Sequence, residues 1–168
     1  MSKNLSKLST QMFNDLYKKQ NRNEKSFNKT FKKYFSKNAK FNNKSAKTFK
    51  QLHLELFKNY KNFVVKCFLC QISPNSIKML KVISHKNRHV ICSGIILYKN
   101  KKIIKISSKY ENISKKELYK LKKLGFFKMK QSGGGACYSV DVSKPSIAGN
   151  AEYRPCTTNN FKNGINVR

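Results

Sequence analysis

The sequence predicts an α+β fold, a small mixed α/β domain carrying a Lys-rich, partly helical N-terminal arm. Three observations predict it. Apolar residues recur at helical spacing, first Phe27, Phe31 and Phe35, then Phe49, Leu52, Leu56 and Tyr60. Between residues 63 and 107 that spacing gives way to β-branched apolar runs separated by short polar turns. From residue 113 to residue 125 a helix announces both of its ends. At 168 residues the chain suits one domain with extensions. We divide it into a basic low-complexity arm (1–50), a mixed α/β nucleic-acid-binding core (51–142) and a near-neutral tail (143–168).

The opening segment MSKNLSKLSTQMFNDLYKK could form a basic amphipathic helix with Leu5, Leu8, Met12 and Leu16 on one stripe. Residues 20–50 are dominated by Lys, Asn, Ser and Phe. Few aliphatic side chains offset the entropy of ordering them, so an extended arm that orders on a partner is expected, its aromatics free to stack on unpaired bases. A helix packed on the domain by its Phe face is the alternative. FVVKCFLCQI (63–72) reads as a buried strand, and VICSGIILY (90–98) with KIIKIS (102–107) flanks a polar KNK as a β-hairpin.

The best-specified element is ISKKELYKLKKLGFF. Ser114 stands at the N-cap with Glu117 three residues on, Ile113 and Leu118 form the hydrophobic staple, and Gly125 closes the far end. Leu118, Leu121 and Leu124 share one face, opposite Lys115, Lys116, Lys120, Lys122 and Lys123. KMKQSGGGACYSVDV (128–142) then reads as two strands around a glycine turn. A capped basic helix followed by a glycine-tipped hairpin, over 113–142, resembles the recognition helix and wing of winged-helix DNA-binding domains. The alternative, a helix and hairpin on a small sheet with solvated lysines, still presents those lysines to phosphates.

Charge decides the expected partner. The chain has 37 Lys and Arg against 7 Asp and Glu, a net charge of +30. AT-rich codon usage would enrich Lys and Asn, but it would not remove carboxylates. Self-repulsion at this density opposes compaction unless a polyanion neutralises it. Nucleic acid is therefore expected, RNA favoured over DNA, with neighbouring proteins in a larger assembly; an anionic membrane surface is the main rival. Residues 131–168 hold only 4 of the 37 cations, so contacts belong to the first three-quarters of the chain. Candidate phosphate-binding residues are Lys78, Lys81, Lys86, Arg88, Lys115, Lys116, Lys120, Lys122, Lys123, Lys128 and Lys130. No apolar run approaches the roughly 20 residues that span a bilayer. Scattered carboxylates supply no acid–base pair, so no catalytic residue is expected.

Five cysteines, Cys67, Cys70, Cys92, Cys137 and Cys156, form an odd set without a secretory signal. That disfavours a disulfide framework and points to a reducing intracellular compartment, with a mitochondrial or other organellar address compatible. Metal binding or buried thiols remain. Residues 67–89, CFLCQISPNSIKMLKVISHKNRH, place Cys67 and Cys70 two residues apart and His85 and His89 three apart, and Asn75 or Ser76 could cap an intervening helix. The segment resembles Cys2His2 zinc fingers, which implies Cys67, Cys70, His85 and His89 as zinc ligands. Cys92 replacing one histidine is an alternative; so are thiols buried in a strand beside a basic HKNRH surface cluster. In composition the chain is similar to ribosomal proteins, whose Lys-rich arms follow RNA, which implies a non-enzymatic structural component of a ribosome or similar ribonucleoprotein. A zinc-finger or winged-helix regulator and a viral or nucleoid DNA-packaging protein are the rivals. Only four arginines, the usual guanine readers, are present.

Overall fold

The computed structural model describes residues 5–60, 62–123, 137–141 and 152–155, with backbone alone from 121 onward. The chain order is α1 (Leu5–Tyr17), a 3-10 turn (Lys19–Asn21), α2 (Glu24–Tyr34), β1 (Phe35–Phe41), α3 (Ala46–Asn59), β2 (Val64–Ser73), β3 (Ser76–His85), β4 (Arg88–Lys99), β5 (Lys102–Ile113), α4 (Lys115–Lys123), β6 (Cys137–Asp141) and β7 (Glu152–Pro155). The described strands join one sheet in the order β1-β5-β4-β3-β2-β6-β7. Among the described residues only the β1–β5 pair is parallel. The α+β class is the one the sequence predicts.

Residues 5–50 are partly helical as expected, but they are built into the body and do not form an arm. Leu5, Met12, Phe27 and Phe35 are all buried. The Phe27, Phe31 and Phe35 stripe finds its cover in β1 and α3: Phe31 and Phe35 stack at 4.8 Å between centroids, and Phe41 stacks on Phe49 at 3.9 Å. Rings of this size offset ordering entropy where aliphatic residues are scarce. Polar contacts close the helix ends. The Asn23 side chain accepts from the Ser26 amide at 2.9 Å to cap α2. At the other end Lys102 Nζ donates to the carbonyls of Lys32 and Lys33 at 3.0 and 2.6 Å. Arg22 Nε donates to the Tyr17 carbonyl at 2.8 Å while its guanidinium lies 3.6 Å over the Phe63 ring.

The strand at 63–72 and the hairpin across residues 99–101 form as predicted. Both β3–β4 and β4–β5 turn in two residues, with positive φ at Lys86 (52°), Asn100 (51°) and Lys101 (65°). Such turns carry the twist that adjoining strands require. Residues 76–85 depart from the finger resemblance, which needs a helix there. They are a strand paired on both sides, with β2 and with β4. A strand apolar on both faces shows no clean alternation, so periodicity alone does not separate it from a helix.

In α3 the buried stripe is Phe49, His53 and Phe57, while the expected Leu52 is 57% exposed. In the segment expected to be a coil tail, β7 pairs with β6, and β6 pairs with β2 in the main sheet. The first strand and glycine turn of the expected wing, with Gly125, lie outside the described residues.

Residues opposite one another in register share a sheet face. Two rows therefore run across the face under α1 and α3: Leu69, Met79, Gly94 and Ser108, then Cys67, Lys81, Cys92 and Tyr110. At Gly94 the strands come so close that a Cβ would strike the Ser107 carbonyl oxygen and stand 2.8 Å from the Ser108 Cα. Glycine is the residue that permits this approach.

Candidate functional site: a cationic exterior and a buried lysine

Of the cations singled out in the sequence, Lys86, Arg88, Lys115, Lys116 and Lys120 are exposed and Lys78 is half-buried. Ile113 lies opposite His89, so the start of α4 and the β3–β4 tip share one end of the sheet. Two segments 27 residues apart in sequence, Arg88 and Lys115, thus supply one basic surface. The side chains of Lys122 and Lys123, and all of Lys128 and Lys130, lie outside the described residues. At the opposite end of the sheet an open groove of about 640 Å3 runs between the end of α2, the start of β1 and the β4–β5 turn. Lys32, Lys37, Lys99 and Lys102 line it with Phe31. No local motif marks this groove, because its lysines come from positions far apart in the chain. Lys33 pairs with Asp15 at 3.6 Å and Lys50 with Glu24 at 2.9 Å.

The four residues implied as zinc ligands are not brought together. Cys67 and Cys70 are three positions apart on a regular strand and point to opposite faces. Cys70 is disulfide-bonded, contrary to the expectation of thiols, and its register partner on β6 is Cys137. His85 packs edge-on against Tyr60, and His89 pairs across the hairpin with Ser84, whose hydroxyl lies 2.8 Å from its Nδ1. Among the described residues no three His, Cys, Asp or Glu side chains converge.

Lys81 is the other correction. It is 3% exposed, so it does not reach a phosphate backbone. Its place in the row facing the helices puts it between Cys67 and Cys92, under α1 and α3. There Lys81 Nζ lies 2.7 Å from the Tyr17 hydroxyl, and that hydroxyl lies 3.0 Å from His53 Nε2. His53 Nδ1 lies 2.9 Å from the Phe49 carbonyl oxygen, which can only accept. The proton of His53 is therefore on Nδ1, and Nε2 accepts from Tyr17. The Tyr17 oxygen in turn accepts from Lys81, so every hydrogen in the chain has one direction.

Burial and neighbouring charge favour the same order. Burial, reinforced by Lys81, lowers His53 to about 3 against the opposing bond to the Phe49 carbonyl, so its ring is neutral at pH 7. Burial likewise pushes the Tyr17 phenol well above its ordinary value, against the pull of Lys81. Burial disfavours the Lys81 ammonium, but Tyr110 and Tyr17, with Cys92 and Cys67, favour it, and the balance lies above the ordinary lysine value. Rings of Tyr17, Tyr110 and Phe13 stand 5.2, 5.6 and 5.9 Å from the ammonium. No carboxylate among the described residues pairs with it. His53 and Tyr17 escaped the sequence reading; the one sign of them was a histidine inside an aromatic stripe, Phe49, His53 and Phe57.

Beside Lys81 a cavity of about 160 Å3 opens between α1, α3 and the sheet. No protein family and no curated protein matches the sequence.

Proposed function

We propose that this protein is a non-enzymatic nucleic-acid-binding protein that holds RNA, in preference to DNA, by its phosphates, as a structural component of a ribonucleoprotein such as a ribosome. One observation carries the reading: a net charge of +30 with few carboxylates to answer it. Supporting it, lysines stand at both ends of one sheet, on the α4 and β3–β4 tip surface and in the groove lined by Lys32, Lys37, Lys99 and Lys102. Binding then comes from a folded surface and not from a threaded arm. Lysine is a point charge that suits phosphate more than base edges, so binding is weakly sequence-selective.

Fluorescence anisotropy with labelled RNA and DNA tests this. Between about 50 and 200 mM salt, six to ten neutralised phosphates cost roughly 10³–10⁵ in affinity. A flat salt dependence rejects the reading, and tighter binding of duplex DNA than of RNA redirects it to DNA packaging. Combined Lys32→Gln, Lys37→Gln and Lys99→Gln substitutions should flatten the log–log slope by about 0.7–0.9 for each phosphate that no longer meets a lysine.

A further inference from the structure

The cavity beside Lys81 lies apart from both basic surfaces, and phosphate binding leaves it unexplained. At about 160 Å3 it is close to the roughly 150 Å3 of an apolar protein cavity that takes up benzene. Met12 and Phe13 of α1, Phe49 of α3 and Met79 of β3 make its walls. Buried Lys81 and exposed Lys44 both line it, with Asn42 and Thr48. No carboxylate is among the described residues that line it.

A buried cation costs several kcal/mol unless counter-charge and hydrogen bonds answer it. Tyr17 and Tyr110 both hydrogen-bond the ammonium, but as neutral phenols, with the Tyr17 proton committed to His53. Neither has a negative charge to give. A site with two cations, no acid and apolar walls sets the ligand's sign, and its volume sets the ligand's size at about one ring.

We propose that this cavity binds a small organic anion, a carboxylate on a flat apolar body, with the carboxylate on Lys81 and the ring between Phe13, Phe49 and the two methionines. Half-exposed Tyr110 and exposed Leu52 form the part of the rim a ligand would pass. A nucleic-acid strand does not fit the same space, so this site and the basic surfaces stand or fall separately.

The test uses the full chain carrying ¹³C-methyl methionine, titrated with benzoate and, as an uncharged ring of similar shape, with benzyl alcohol. Calorimetry should show saturable benzoate binding with the alcohol about tenfold or more weaker. The Met12 and Met79 methyl resonances should shift through the ring current, which adventitious benzoate on surface lysines would not produce. Lys81→Met should bring the two ligands to within about twofold of each other. Lys44→Gln should shrink the acid's advantage without removing it. Should Lys81→Met fail to fold, the methionine methyls of the unmodified chain decide. Methyls unmoved at about 10 mM benzoate, an alcohol that binds as tightly as the acid, or a folded Lys81→Met that keeps the preference overturns the proposal.

Discussion

Tyr17 holds one hydroxyl between two buried nitrogens, 2.7 Å from Lys81 and 3.0 Å from His53. Tyr17→Phe keeps the ring but leaves a buried donor and a buried acceptor without a partner, a cost of about 1–3 kcal/mol each. Lys81→Met removes the charge and leaves Tyr17 donating to His53, so it should be close to neutral or stabilising. Urea denaturation of both variants checks the pair; a Tyr17→Phe as stable as the parent would mean that the chain of hydrogen bonds is not formed. His53 gives this cluster a pH dependence. Its folded value is about 3 and its ordinary value 6.5, so between them the unfolded chain binds the extra proton. Stability is therefore full above about pH 6.5 and falls as pH drops toward 3, by at most about 1.4 kcal/mol per pH unit from this group. With only 7 carboxylates in the chain, little else masks the effect. His53→Gln should show a visibly shallower acid limb; an equal slope would assign the loss to other groups.

At the scale of elements, α4 shows how far local chemistry is legible. The Glu117 amide donates to Ser114 Oγ at 3.1 Å, and Ile113 and Leu118 are both buried, as the capping pattern predicts. Ser114→Ala should cost about 1 kcal/mol and raise proteolysis within α4 first. β3 shows where legibility stops, because its apolar residues face two layers and carry no single period. Gly94 sits on its neighbour β4, where strand-to-strand approach leaves no room for a methyl group. Gly94→Ala should cost about 3 kcal/mol or more, since the clash is with backbone and no rotamer relieves it. A melting temperature equal to the parent's would show that β4 and β5 can separate there.

For the whole molecule, +30 on one small sheet-and-helix body means that folding works against its own field. The Debye length shrinks from about 30 Å at 0.01 M salt to about 8 Å at 0.15 M, so the melting temperature should rise over that range. A short RNA at low salt should raise it further, because a ligand of the folded state stabilises by mass action. A melting temperature that falls with added salt would indicate that the lysines are already neutralised within the protein.

Composition and local pattern determined by themselves the α+β class, the strand at 63–72, the hairpin across 99–101, the capped α4 and the excess of cations. These follow from periodicity, turn chemistry and net charge, which act within a few residues or need no geometry. Only the tertiary structure decided that Phe27 and Phe35 are core, that Cys67 and Cys70 face apart, and that Lys81 lies inside against Tyr17 and His53. Each of those outcomes depends on strand register and on which helix covers which face, and a single residue of slip would have turned Lys81 out to the other side of the sheet.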